Sequence, residues 1–231
     1  SASPAADTGP TPALLVVGLG NPGAAYEGTR HNVGASLACS IAERGFGAWR
    51  EACGAHIASG TIRYGPDSYA VLLARPKAAM NLSGRSVGQL ARAHGLPPSR
   101  VLVLHDDLDL AVGRVKVKAG GSSGGHNGVN SVEAALSSKD FWRIRIGIGR
   151  PASSAHVADY VLERFRESEA AKLAPWLARV CDHLHLLLAP TGLHSTEIVQ
   201  RYSVPIEGFF RGVSAFLNAM SAPPKRRPAP A

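Results

Sequence analysis

A single α/β domain, built on a mixed, mostly parallel twisted sheet with helices on both faces, is the fold class this sequence predicts. Two observations carry it. Residues 14–17 and 101–104 are short, continuous apolar runs that end in glycine or acidic residues, the pattern of strands buried on both faces. Between such runs lie stretches of helical period, and strands that alternate with helices favour a sheet covered on both sides.

The elements follow in order. Residues 1–12 are rich in Ala, Pro, Ser and Thr and read as a flexible arm. Residues 14–17 form a strand that exits at Gly18, and residues 33–42 have a helical pattern. Residues 55–63 and 68–75 read as paired strands around Tyr64-Gly65-Pro66-Asp67. Asn81 or Ser83 would cap a helix that runs to about His94, where Gly95-Leu96-Pro97-Pro98 stops it. Residues 101–104 form another buried strand, ending at His105-Asp106-Asp107.

Residues 114–118 alternate β-branched and basic side chains, so one face is buried and one charged. Residues 120–125 are expected to be a mobile glycine loop, and residues 126–136 a helix. Arg and Ile alternate over 143–148, a strand with one basic face; helices near 155–165 and 169–188 follow. The domain is expected to span 13–204. Residues 205–231 form an extension: a short amphipathic helix carrying Phe209, Phe210, Val213, Phe216, Leu217 and Met220, then a basic disordered tail.

Composition narrows the partners. The chain has 231 residues, a net charge of +8 and a pI of about 9.8, which favours polyanions. Part of that charge is the tail Lys225-Arg226-Arg227. Cys39, Cys53 and Cys181 have no CxxC spacing, which fits a reducing compartment and no structural zinc. No apolar run is long enough to span a membrane. The chain starts with Ser rather than Met. Its expected location is the cytoplasm, or a mitochondrion or chloroplast if a targeting segment has been removed.

Gly18-Leu19-Gly20-Asn21-Pro22-Gly23 spells G-x-G-x-x-G behind a strand. A dinucleotide site also needs a helix starting at the loop and an acid at the end of the second strand. Here Pro22 and residues 24–31 intervene, and Glu43 lies in a helical pattern. A plain strand-exit turn would explain the glycines. It leaves unexplained an amide, Asn21, at the strand's C-terminal end, where open α/β sheets place ligands.

Other polar residues stand at element ends: His31, Asn81, Asp106, His126 and Asn127. Singly, each reads as a cap. Together they suggest ester hydrolysis with no nucleophilic side chain. A neutral imidazole takes a proton from water, and a carboxylate on its other nitrogen fixes the tautomer. His31 and Asp106 supply that pair if the fold joins them. Asparagine amides can hold a carbonyl, a peptide backbone or a water. No G-x-S-x-G elbow is present. His31, His105, Asp106 and His126 could alternatively bind a metal, a reading the asparagine-rich setting disfavours. Lys116, Lys118, Arg143 and Arg145 recur at alternate positions, as a phosphate site or as a solvated face.

In order and spacing, GLGNPG, Tyr26, TRHNVG, MNLSG, HDDLD, KVKAGG, GGHNG and RIRIGIGRP resemble bacterial-type peptidyl-tRNA hydrolase, from about Leu14 to Phe165 and more loosely to Tyr202. The resemblance implies cleavage of the ester between a peptide and the tRNA 3′ end, releasing both. By it, His31 is the general base, Asp106 supports it, and Asn21 selects peptidyl over free aminoacyl substrates. Tyr26, Asn81 and Asn127 line the substrate groove, with Met80 and His126 beside it. Lys118 and Arg145 grip the acceptor-end phosphate, and Lys116 and Arg143 are more peripheral. The implied partner is peptidyl-tRNA, through its acceptor stem and 3′ CCA end, bound by a monomer with no metal or organic cofactor and no membrane. Ala79 departs from the larger residue many relatives carry there, and Ser122-Ser123 from their Gly-His or Ala-Arg. The alternative is a non-catalytic RNA-binding splicing factor on the same fold, as in a plant chloroplast intron-splicing protein.

Overall fold

The computed structural model describes residues 11–64 and 66–185. The amphipathic helix and basic tail expected over 205–231, most of the N-terminal arm, and residues 186–204 of the expected domain lie outside the described residues.

Seven strands form one sheet in the order β2-β3-β4-β1-β5-β7-β6. They are β1 (Leu14–Gly18), β2 (Arg50–Ala52), β3 (Ala55–Tyr64), β4 (Asp67–Pro76), β5 (Val101–Asp107), β6 (Val115–Ala119) and β7 (Trp142–Gly147). The centre, β4-β1-β5-β7, is parallel, and antiparallel pairings extend it on both sides. The helices are α1 (Val33–Ala42), α2 (Ser83–Ala93), α3 (Asn127–Leu136), α4 (Val157–Leu162) and α5 (Glu167–His183).

The period-2 alternation of the strands sorts side chains into two cores. Leu14, Val16, Leu104, Ile144 and Ile146 point toward α1 and α5, packing with Leu37, Ile41, Leu173 and Val180. Leu15, Val17, Val101 and Val103 point the other way, toward Val87, Leu90, Val129 and Val132 of α2 and α3. Burying both faces of β1 and β5 explains their unbroken apolar runs. Gly34 lets α1 lie directly on β5, because a Cβ there would collide with the Leu104 carbonyl.

Several boundaries differ from expectation. β5 continues through His105 and Asp106, because the ladder to β7 pairs them with Arg145 and Ile146. Neither Asn81 nor Ser83 caps α2. A 3-10 turn over Met80–Leu82 precedes it, and the Ser83 hydroxyl donates to the Met80 carbonyl at 2.8 Å. His126 is the N-cap of α3 rather than its first residue. The helix expected over 155–165 stops at Leu162, and Glu163 turns to an extended conformation so that Arg164 can bridge Thr29. The short strand β2 carries no run long enough to signal itself.

The basic strand positions also differ from a simple solvated face. Lys116 lies opposite Arg145 and Lys118 opposite Arg143, so all four belong to one face of the β6–β7 ladder. Arg143 is nonetheless buried.

Candidate active site

Two loops that follow parallel strands and the end of a third strand meet at the C-terminal edge of the sheet, the place where open α/β sheets bind ligands. The loop after β1 carries Asn21 and His31, the segment after β4 carries Met80 and Asn81, and the end of β5 carries Asp106. The glycine loop after β6 returns the chain to the same edge at His126.

Asp106 is the centre of the arrangement. One of its oxygens, Oδ1, lies 2.9 Å from His31 Nδ1 and 2.8 Å from His126 Nε2. The His126 tautomer follows from its other nitrogen. Nδ1 accepts the backbone N–H groups of Gly128 and Val129 at 3.1 and 3.3 Å, so Nε2 carries the proton and donates to Asp106. His31 donates through Nδ1, which leaves Nε2 as the basic nitrogen of the neutral ring. Burial by itself would raise the Asp106 pKa; the electrostatic pull and hydrogen bonds of His126 and then His31 outweigh it and hold the carboxyl well below the usual carboxylate range.

His105 packs edge-on against His126, with ring centroids 4.9 Å apart, and its Nδ1 donates to the Asp106 carbonyl at 2.7 Å. Burial, then the neighbouring His126, pushes its pKa down to about 3. It is a neutral packing group rather than a proton carrier near neutral pH.

Asn21 is fixed at three points. Its backbone N–H donates to Asn32 Oδ1 at 2.8 Å, and its carbonyl accepts from Asn32 Nδ2 at 2.9 Å. Its side-chain oxygen accepts the Met80 N–H at 2.9 Å. Since Met80 must donate there, the amide orientation is determined, and the Asn21 NH2 keeps its donors for a ligand.

His31, Asp106, His126 and Asn127 line one cleft of about 380 Å³. Its further walls are the apolar Val157, Ala158 and Val161 of α4, the loop Ser123–Gly125, and a rim of Asp107 and Asp109. Asn21, Tyr26, Met80 and Asn81 lie outside that lining. Met80 is buried, Tyr26 half-buried and Asn81 exposed.

The basic cluster stands beside this cleft and is joined to it by Asp107, whose Oδ2 accepts from Arg145 Nε at 2.6 Å. Lys118 has its pKa lowered by burial and then by the charges of Arg143 and Arg145, against a smaller opposing pull from Asp107. Arg143 has a different task. Its guanidinium donates to the carbonyls of Ser122, at 2.8 Å, and Gly120, so it braces the glycine loop from inside.

His31, Asp106 and His126 offer ligand atoms within 4.8 Å of one another, the spacing a metal ion could use. Their hydrogen bonds argue against that use. The two ring nitrogens facing Asp106 are protonated donors, and a metal would have to displace both protons and separate groups now in direct contact.

Residue patterns alone passed over three contributors: Arg30, Asn32 and Asp107. Arg30 and Asn32 flank His31 in the 3-10 turn Arg30–Asn32, and both are buried polar residues. Polar residues between buried positions were the available signal.

Comparison with known proteins places the chain. The family model described as peptidyl-tRNA hydrolase matches residues 15–205. A peptidyl-tRNA hydrolase of Rhodospirillum rubrum is 47% identical over 175 residues, covering 75% of this chain and 70% of the relative. One of Nocardia farcinica is 46% identical over 193 residues, covering 82% and 97%. The crystal structure of peptidyl-tRNA hydrolase from Acinetobacter baumannii superposes with a TM-score of 0.72 at 31% identity, covering 78% of this chain and 92% of that one. These findings give the splicing-factor alternative no support. Among the described residues no helix is long and apolar enough to cross a membrane.

Proposed function

The chain belongs to the peptidyl-tRNA hydrolase family, a family of carboxylic ester hydrolases, and from that membership we propose how its own residues cleave the ester between a peptide and the 3′ end of tRNA. The observation that carries the proposal is the shared Asp106 oxygen. It holds His31 by Nδ1 and leaves Nε2 basic on a ring that lines the cleft.

In this reading His31 Nε2 takes a proton from a water molecule as that water attacks the ester carbonyl carbon. The imidazolium that forms is stabilised by the Asp106 carboxylate, itself kept charged and oriented by His126. The protonated ring then returns the proton to the departing 3′ oxygen of the tRNA. Asn21, with its side-chain oxygen tied to Met80, turns its NH2 toward carbonyl oxygens of the peptidyl group. A free aminoacyl ester has no peptide carbonyl there, which is the basis of selection.

The substrate divides over the two sides of His31. Tyr26, Met80, Asn81 and Asn127 receive the peptide. The cleft under α4, apolar on one wall and rimmed by acceptors, suits the last nucleoside of the CCA end. Lys118 and Arg145 attract the acceptor-stem phosphates, and one monomer contains every group named.

The test is direct. The protein is incubated with N-acetyl-aminoacyl-tRNA and with unblocked aminoacyl-tRNA, without added metal and with a chelator. Cleavage of the first alone is expected. Cleavage of neither, or of both equally, overturns the assignment of base or of selection.

A further inference from the structure

We propose that Arg30 is the positioning residue for His31, fixing the proposed base to the segment between α4 and α5 so that base and cleft wall form one rigid unit. The inference rests on the reading of His31 as the base.

The turn Arg30–Asn32 is held by three consecutive side chains pulling in three directions. Asn32 grips the backbone of Asn21. His31 bonds Asp106. Arg30 reaches the opposite way and is 2% exposed. Its Nη1 donates to the Arg164 carbonyl at 2.6 Å and its Nη2 to Glu169 Oε2 at 2.7 Å. Tyr160 and Phe165 cover the guanidinium, with ring centroids 4.4 and 5.3 Å from its central carbon. The backbone repeats the connection: Arg30 N–H donates to the Glu163 carbonyl at 2.9 Å, and Thr29 bridges Arg164.

The anchor is itself anchored. Glu169 Oε2 also accepts the Arg166 N–H at the start of α5, and Tyr160 donates its hydroxyl to the Ile148 carbonyl at 2.6 Å. Tyr160 belongs to α4, whose Val157, Ala158 and Val161 line the cleft. Arg30 itself is absent from that lining, and its burial leaves it almost no surface to offer a substrate.

The chemistry of the side chain fits positioning better than plain stability. A buried ion pair is often replaceable by apolar groups without loss of stability. A planar fork spanning two acceptors on one segment fixes both distance and angle. A base must be held to about half an ångström for its proton transfer. A turn of three residues next to a glycine- and proline-rich loop cannot supply that alone.

The experiment compares kcat, KM, the pH profile of kcat and the thermal midpoint for four variants: Arg30→Lys, the apolar pair Arg30→Met with Glu169→Leu, Glu169→Gln, and His31→Ala. Arg30→Lys and the apolar pair are expected to lower kcat by about 10- to 100-fold, as sub-ångström misplacement does, with KM within about three-fold. The acid limb of the profile, where the base is lost to protonation, moves to lower pH, because the imidazole is held less firmly against the Asp106 carboxylate. If Arg30→Lys fails to fold, Glu169→Gln keeps an acceptor and is expected to lower kcat by about three- to ten-fold. A folded variant with kcat within two-fold of the parent and an unmoved limb overturns the inference. Activity in His31→Ala overturns instead the assignment of the base, so the two failures are distinguishable.

Discussion

The Asn32 side chain holds the backbone of Asn21 at both ends, accepting from its N–H at 2.8 Å and donating to its carbonyl at 2.9 Å. The residue next to the proposed base therefore also sets the proposed selector. Two such bonds contribute roughly 2 kcal/mol together, equivalent to about 30-fold in a rate if all of it is felt at the transition state. Asn32→Ala is expected to lower kcat/KM for N-acetyl-aminoacyl-tRNA by about 10- to 30-fold and to narrow the preference over unblocked aminoacyl-tRNA. An unchanged ratio of the two specificity constants counts against Asn21 as selector.

His31→Ala is expected to reduce turnover by at least about 100-fold, the lower range for a lost general base. Binding of uncharged tRNA should persist, since the basic cluster is untouched. Single-turnover hydrolysis and filter binding, run side by side, check both halves.

The buried His105 makes stability depend on pH. Its pKa is lowered to about 3 in the fold, against about 6.5 in the unfolded chain. Between those values the unfolded state binds the extra proton. Stability is complete above about pH 6.5 and falls as the pH drops toward 3, by up to about 1.4 kcal/mol per pH unit. Asp106 acts lower: its depressed carboxyl gives stability above about pH 3.9 that is lost on further acidification. His105→Asn keeps a donor for the Asp106 carbonyl and does not titrate. Denaturant melts of that variant between pH 6 and 4 should show a shallower slope, and an identical slope would clear His105 of the effect.

Lys118 and Arg145 should differ as phosphate ligands. Lys118 feels Asp107 only weakly beside Arg143 and Arg145, whereas Arg145 bonds Asp107 directly at 2.6 Å. Lys118→Ala is expected to weaken tRNA binding and reduce the salt slope by about one, and Arg145→Ala to do less. Asp107→Asn frees Arg145 and should tighten binding at low salt. Titrations over a salt series measure all three, and equal slopes throughout would remove the cluster from the RNA contact.

Gly34→Ala is expected to destabilise the fold by about 1–3 kcal/mol, because the added methyl meets the Leu104 carbonyl where α1 crosses β5. Thermal and denaturant unfolding measure it. No loss would show that α1 and β5 do not meet at this position.

The apolar runs of β1 and β5 made the sheet centre legible, because strands buried on both faces have nothing else to be. The helix over Val33–Ala42 was legible to the residue. The proposed site was legible as polar residues at strand ends, and the structure brings His31, Asp106, His126 and Asn127 to one cleft. What stayed hidden depends on distant partners. Arg30 meets Arg164 and Glu169, more than a hundred residues away, and no local pattern encodes that. The Arg and Ile alternation of β7 gave the correct facing but not the burial of Arg143, which arises from the loop folding over it. The α4 boundary was missed because Arg164 leaves the helix for a pairing with Thr29.

Arg143 grips carbonyls, not side chains, in the loop after β6. That brace does not depend on the side chain at 122, whereas at 123 the Ser hydroxyl itself accepts the Gly125 N–H at 3.2 Å and helps to shape the loop. Ser122, which is exposed, can be exchanged for bulkier, charged or aromatic groups with the Arg143 brace intact, whereas a change at Ser123 also removes the hydroxyl that holds Gly125. Position 122 is thus open to variation, by evolution or in a library, without disturbing Asp106 and its two imidazoles, while position 123 couples the loop to the residue it carries.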